Sequence, residues 1–335
     1  MVSLRAPEFW WRKAGGRAAL LYPAGAIYGA VASQRMKRPG YRAEIPVLCI
    51  GNPTLGGAGK TPTAIALGEW LKREGRKVFF LTRGYGGREA GPLLVDLSKH
   101  DAAAIGDEAP LLAAIAPTIV AQDRAAGAKL AEASGAEIVV MDDGFQNPSL
   151  TKDFSVLVVD GDRGIGNGLV FPAGPLRAPL DPQFKLAQAM IVVGEGGAGE
   201  KAARLAKEDG LPTLRAKLIA DPASAGELKN KHVLAFAGIG TPEKFFRSLE
   251  AAGAIVVETR SFGDHHRFGE TDAAMLLAQA KAGGLDLATT EKDLARMRGD
   301  DTLKTLSEQS KVLRVRLALE DEQRFLAAIA NSLKV

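Results

Sequence analysis

The chain of 335 residues predicts an α/β fold. A P-loop NTPase-type domain with a mostly parallel sheet is joined to a second, smaller α/β domain, and an N-terminal helical segment lies on a membrane surface. Three observations predict this. Strand-patterned and helix-patterned segments alternate along most of the chain, as they do where βαβ units build parallel sheets. A short apolar run, 45–50, leads into GNPTLGGAGKTP (51–62) and then into a helix-patterned stretch, 63–71. The first 42 residues carry eight basic side chains and one acid, Glu8, so the basic charge of the chain belongs to its N-terminus.

Taken in chain order, 1–42 is read as a basic, aromatic, membrane-associating segment. Its uncharged stretch, 18–32, is shorter than the roughly 18–20 residues of a spanning helix and contains Pro23. Ala30-Val31-Ala32 mimics a signal-peptidase site, but two tryptophans and several charges precede it and a nucleotide loop follows it. On a membrane surface, Trp10 and Trp11 suit the headgroup level. Leu20, Leu21, Ile27 and Val31 dip inward, and Arg and Lys meet anionic lipid. The alternative is a helix packed on its own domain. No aromatic-basic platform follows, which argues against nucleic acid. A single cysteine, Cys49, excludes an internal disulfide or a multi-cysteine metal site; it reads as a small core residue and suits a reducing cytosol.

Residues 43–195 are read as the nucleotide-binding domain, with strands at 45–50, 77–82, 118–121, 137–142, 155–160 and 189–193. In a phosphate loop the backbone N–H groups of a Gly-rich turn cradle the phosphates. A lysine reaches the β and γ oxygens, and the next hydroxyl binds Mg²⁺. Thr54, Leu55, Gly56, Gly57, Ala58, Gly59, Lys60 and Thr61 are the candidates, although Thr54 stands where the usual pattern has its first glycine. A Gly-rich turn ending in a surface lysine is the alternative. The strand 137–142 ends in Asp142, followed by Asp143, where a Mg²⁺ shell needs a carboxylate; capping of the next segment is the other reading. A GTPase, a partition-type ATPase and a kinase all fit so far. The guanine-reading N-K-x-D pattern is missing: Asn230-Lys231-His232-Val233 lacks the acid and Thr290-Glu-Lys-Asp293 has the wrong spacing. Adenine is therefore expected.

Two further stretches look chemical. GDEAP (106–110) sets Asp107 and Glu108 at a helix start, where acids either cap or serve as the base that phosphoryl transfer to an alcohol requires. FGDHHR (262–267) holds two of the four histidines, and a histidine beside a carboxylate can complete such a base.

Together with RGYGG (83–87), QDR (122–124), DDGFQN (142–147), FPAGPLR (171–177) and TEKD (290–293), these stretches resemble the tetraacyldisaccharide 4'-kinase family over nearly the whole chain. The missing first glycine of the loop is usual in that family. The resemblance implies transfer of phosphate from ATP, with Mg²⁺, to the 4'-hydroxyl of tetraacyldisaccharide 1-phosphate, giving the bisphosphate lipid A precursor of lipopolysaccharide synthesis. It implies a peripheral enzyme on the cytosolic face of a bacterial inner membrane, with no obligate protein partner. Carried over residue by residue, Asp107 matches the general base, His265 its partner, Lys60 and Thr61 the loop groups, and Asp142 the Mg²⁺ ligand, with Asp143 beside it. Glu108 falls on the substrate side, and Tyr85 near the nucleotide or the lipid sugar. Arg124 and Arg177 are expected to meet phosphate oxygens, with a structural salt bridge as the alternative. Ala178 stands where many members carry an acid.

After the glycine-rich break at 194–199, residues 196–335 are read as the second domain, with strands at 213–219, 232–237, 254–258, 285–289 and 312–317. Gly238-Ile-Gly240 is a tight strand-to-helix turn. Asp107 then lies in the first domain and His265 in the second, so their meeting places the active site in the cleft between, with closure excluding water. Lys292 and Asp293 fall near that interface without a derivable role. A soluble small-molecule kinase and a partner-regulated ATPase are the rival readings; neither accounts for both the N-terminal segment and FGDHH.

Overall fold

The computed structural model describes residues 6–334, and Arg5 of the basic N-terminus lies outside them. Its strands are β1 Val47–Gly51, β2 Val78–Thr82, β3 Leu93–Leu94, β4 Thr118–Val120, β5 Ile138–Asp142, β6 Phe154–Asp160, β7 Ala189–Val193, β8 Thr213–Ala220, β9 His232–Ala237, β10 Ile255–Ser261, β11 Asp286–Thr289, β12 Ser310–Val312 and β13 Val315–Leu319. A nine-stranded sheet has the order β13-β8-β7-β6-β1-β5-β2-β4-β3, and a four-stranded sheet has the order β10-β9-β11-β12. The large sheet is parallel except at its edges, where β13 on β8 and β3 on β4 are antiparallel.

The central strands are apolar runs because both faces are covered. Alternate residues enter opposite cores. Val47, Cys49, Val139 and Met141 join one cluster; Leu48, Ile50, Ile138 and Val140 join the other. Cys49 is fully buried, as expected for a core residue.

The expected division at 195/196 differs from the division between sheets. β8 pairs with β7, and β13 returns to pair with β8, so both belong to the large sheet. The helix Glu322–Leu333 then packs Phe325, Ile329 and Leu333 into the core beneath the phosphate loop. The four-stranded sheet is thus inserted between β8 and β13. The expected strand 312–317 is two strands, one in each sheet. Apolar periodicity marks a strand but not the neighbour it pairs with.

The N-terminal helix Gly16–Met36 runs through Pro23 and docks with a face made of small residues, Ala18, Gly25 and Gly29, plus Met36. A Cβ on Gly25 would stand 2.8 Å from the carbonyl oxygen of Val170, so the glycine permits the close approach. The other side leaves Leu20 81%, Ile27 69% and Val31 61% exposed, beside Tyr22 and Tyr28. Leu21 is half-buried. Trp10 departs from its expected place at a membrane surface. It is buried, its Nε1 donates to the carbonyl of Pro172 at 3.0 Å, and its ring meets Phe171 edge-on. The indole N–H thereby gains a partner while the rings bury apolar area. Trp11 is half-buried under the guanidinium of Arg163. No described helix is long and apolar enough to cross a membrane.

Candidate active site

β1 ends at Gly51, pressed so close to Phe145 that a Cβ would lie 2.3 Å from that side chain. The loop then turns through Gly56 (φ +107°) and Gly59 (φ +90°) into the helix Lys60–Arg73. Left-handed backbone of this kind suits glycine. Thr54 is different: it forms an antiparallel bridge with Leu176 and needs no glycine. The segment 171–177 braces the loop further, with Leu55 N–H donating to Pro175 and Arg177 N–H to Pro53, both at 2.8 Å. Leu55, Gly57 and Ala58 complete the turn at the C-terminal edge of the parallel sheet, where ligands of open α/β sheets bind.

Lys60 and Thr61 open the helix. The Thr61 hydroxyl donates to Asp142 Oδ2 at 2.9 Å, and Asp142 is fully buried with Oδ1 lacking any hydrogen-bond partner. Burial pushes the Asp142 carboxyl up to about 7, helped by the nearby Glu108 and opposed by Lys60. A buried carboxylate with an orphaned oxygen beside a threonine hydroxyl fits a divalent cation. Among the described residues no group of three or more His, Cys, Asp or Glu could hold a metal. Mg²⁺ is held by one or two carboxylates together with phosphate oxygens, a donor set that Asp142 and Thr61 can join.

Asp143 follows in left-handed backbone (φ +55°). Its carboxylate takes Arg177 Nη1 at 2.9 Å and Nη2 at 3.3 Å, with Lys60 Nζ 3.7 Å away. Burial opposes its ionisation, yet Lys60 and Arg177 hold its carboxyl below the usual range. Arg177 Nε also donates to the Thr54 carbonyl at 3.0 Å. Its guanidinium therefore clamps the loop to the acid, in keeping with the salt-bridge alternative. Arg124 departs from the expected phosphate contact. It is only 2% exposed and points at backbone carbonyls, those of Ala121 and of Asp143. It braces the 142–147 turn from inside the protein. Burial lowers its pKa.

The second half of the site joins the two sheets. Asp107 Oδ2 lies 2.7 Å from His265 Nδ1, across 158 residues of chain. The same oxygen accepts from Arg296 Nε at 2.8 Å. Arg296 Nη2 stands 2.6 Å from it, at an angle that makes an ion contact rather than a second hydrogen bond. Burial works against ionisation of Asp107, but His265 and Arg296 outweigh it and hold its pKa down at about 2. Tyr85, largely exposed, meets the His265 ring edge-on at 5.4 Å. Glu108 pairs with Lys292 at 2.8 Å; Lys292 holds the Glu108 pKa down, and Glu108 raises that of Lys292 against the cost of burial. His266 instead bonds Asp272 at 2.9 Å and stacks on Phe262, so it is a neighbour of the pair. A polar cavity of about 560 Å³ opens beside the pair, lined among others by Tyr85, Arg88, Arg267 and Arg298.

Arg296 is the residue that sequence reasoning missed. The available signal was its position three residues after Asp293, one helical turn on, where an acid and a base share a face.

The family model described as Tetraacyldisaccharide-1-P 4'-kinase (LpxK) matches residues 17–334. A Tetraacyldisaccharide 4'-kinase of Nitrobacter winogradskyi is 48% identical over 319 residues, 95% of each chain. One of Methylobacterium sp. (strain 4-46) is 54% identical over 295 residues, 88% of this chain and 89% of that one. The crystal structure of LpxK from Aquifex aeolicus in complex with ATP superposes with a TM-score of 0.71 at 25% identity, covering 94% of this chain and 99% of that one. With the loop, the buried Asp142 and the cross-sheet Asp107–His265 pair in place, the chain belongs to the tetraacyldisaccharide 4'-kinase family.

Proposed function

We propose that the cleft between the two sheets transfers the γ-phosphoryl group of ATP to a sugar hydroxyl activated by the Asp107–His265 pair. The chain is an ATP-dependent kinase of tetraacyldisaccharide 1-phosphate, acting at the 4'-hydroxyl in lipid A synthesis. The observation that carries the residue roles is the 2.7 Å contact between an acid of the large sheet and a histidine of the small one.

The loop N–H groups and Lys60 hold the β and γ phosphates. Thr61 and Asp142 would hold Mg²⁺, whose charge offsets that of the phosphates. Asp143, Arg177 and Arg124 keep the loop and the 142–147 turn in register. All the Asp107 contacts above fall on Oδ2, which leaves Oδ1 to accept the hydrogen bond of the incoming hydroxyl. The sugar oxygen forms its bond to the γ-phosphorus as the bond to the ADP oxygen breaks. The hydroxyl proton passes to the Asp107–His265 pair. Tyr85, on the His265 ring, and Glu108 flank the acceptor.

The enzyme acts as a peripheral protein on the cytosolic face of an inner membrane. The exposed apolar side of Gly16–Met36 supports this: Leu20, Ile27 and Val31 enter the lipid surface. Trp10 lends support to the helix from below rather than entering lipid. In a flotation assay with anionic vesicles, the wild type rises with the lipid and Leu20→Asp/Ile27→Asp stays behind; equal flotation refutes this placement.

The test of the reaction uses γ-labelled ATP, Mg²⁺ and tetraacyldisaccharide 1-phosphate in mixed micelles. Label enters the lipid with wild type and not with Lys60→Ala or Asp107→Ala. Lipid labelling that survives Asp107→Ala sinks the assignment of the base.

A further inference from the structure

We propose that Arg296 is a positioning residue: it fixes the Asp107–His265 pair in its reacting geometry and makes that geometry depend on the docking of the small sheet against the large one. The inference rests on the reading of Asp107 and His265 as the pair that activates the acceptor.

Three linked observations carry it. Arg296 is anchored at both ends of its guanidinium. Nε meets Asp107 Oδ2, while Nη1 donates to the Gly238 carbonyl at 2.7 Å and to Asp293 Oδ1 at 2.6 Å. Its side chain is only 4% exposed, so no solvent competes for these contacts. A planar fork held this way has no freedom to swing, which a lysine ammonium would keep.

Asp293 is itself fixed. It is fully buried, accepts the N–H of Gly238 at 3.1 Å on Oδ2, and takes the Thr290 hydroxyl at 2.7 Å. Thr290 also caps the helix Glu291–Met297 that carries both Asp293 and Arg296. The anchor is therefore tied to its own helix start and to the end of β9.

The Gly238 carbonyl does a second task. It accepts the backbone N–H of His265 at 3.1 Å. His265 sits in left-handed backbone (φ +56°), which a non-glycine residue holds only where its surroundings enforce it. One carbonyl thus registers the His265 backbone and the Arg296 guanidinium, and both side chains converge on one oxygen of Asp107. Both partners come from the small sheet and its loops, whereas Asp107 comes from the large one. The pair is complete only when the sheets are docked. The Arg267–Gly86 hydrogen bond at 2.9 Å and the Lys292–Glu108 pair cross the same junction.

The experiment is a double-mutant cycle in the micelle assay. Arg296→Met, Arg296→Lys and Asp293→Asn are made in the full chain, and Arg296→Met and Asp293→Asn also in a His265→Ala background. Arg296→Met lowers kcat about 100-fold, the cost of slight misplacement of reacting groups. Its KM for ATP stays within about twofold, because the loop is untouched. Arg296→Lys recovers about tenfold of the loss by restoring charge without the fork. In the His265→Ala background Arg296→Met costs less than about threefold, since no pair remains to be positioned. Equal losses in both backgrounds, or a raised KM for ATP at unchanged kcat, mean a purely structural ion pair and overturn the inference. Should Arg296→Met fail to fold, Asp293→Asn carries the same test. It lowers kcat about tenfold in wild type and not in His265→Ala; full activity in it and in Arg296→Lys overturns the inference. A His265→Ala variant as fast as wild type refutes the reading of the pair instead, a separate result from failure of Arg296.

Discussion

The two halves of the active site are built in opposite ways. The nucleotide half comes from one sheet, with Lys60 and Thr61 on the helix that follows β1 and Asp142 at the end of the neighbouring strand β5. The acceptor half is drawn from two sheets: Asp107 from the large one, His265 and Arg296 from the small one. The first is held by backbone turns and hydrogen bonds within one rigid sheet. The second is held by charged side chains across a junction. A phosphate site within one sheet and an acceptor site across two suit a kinase whose second substrate is a bulky lipid disaccharide.

The sharpest way to break this comparison is to damage each half in turn. Lys60→Ala removes the charge at the transferred phosphoryl and lowers kcat/KM about 1000-fold or more. His265→Ala lowers kcat about 100-fold while ATP binding, followed by calorimetry, stays near wild type. If His265→Ala weakens ATP binding as much as Lys60→Ala does, the halves are not separable.

A smaller effect sharpens the electrostatics of the junction. The Asp107 carboxyl is held at about 2 in the folded protein against an ordinary value of 3.8. A carboxylate with a depressed pKa adds stability at all pH values above its unfolded pKa and loses it as pH falls through the folded one. Its contribution, about 2 kcal/mol, is therefore whole at pH 5 and disappears between about pH 4 and pH 2. Denaturant titrations of wild type and Asp107→Asn should show the stability gap narrowing over that window. A gap that is constant with pH would mean the contact does not depend on charge.

The smallest effect is expected far from the chemistry. Lys244 reaches from the small sheet to Asp160 at 2.7 Å and Asp162 at 2.8 Å. These contacts are partly exposed and worth little singly, so Lys244→Ala slows the kinase less than about threefold. A larger loss would show that the joint is held from its rim rather than through Arg296.

The same contrast explains which parts were legible beforehand. The central strands, the loop and Asp142 could be read from the chain because each depends on neighbours a few residues away or on a strict apolar run. Thr54 already pointed to an unusual loop start, and the bridge to Leu176 supplies the reason. The Asp107–His265 meeting was expected from the family resemblance and not from spacing, since no local pattern links residues 158 apart.

What the chain by itself determined is the order of its elements and the kind of chemistry they carry. Apolar periodicity, glycines at turns and a lysine-threonine pair at a helix start act over short distances, and those distances are written in the sequence. Only the tertiary structure decided where each charge points. Arg124, a plausible phosphate ligand by type, turns inward to the carbonyls of Ala121 and Asp143. Trp10, suited to a membrane by type, is buried against Phe171. β8 and β13 join the large sheet although they flank the small one. Arg296 gains its task from Asp107 and Gly238 on other elements, together with Asp293 one turn away on its own helix. A long polar side chain costs free energy wherever its polar atoms are buried without partners. Its destination is therefore set by which partners the fold brings within reach, and those come from distant parts of the chain.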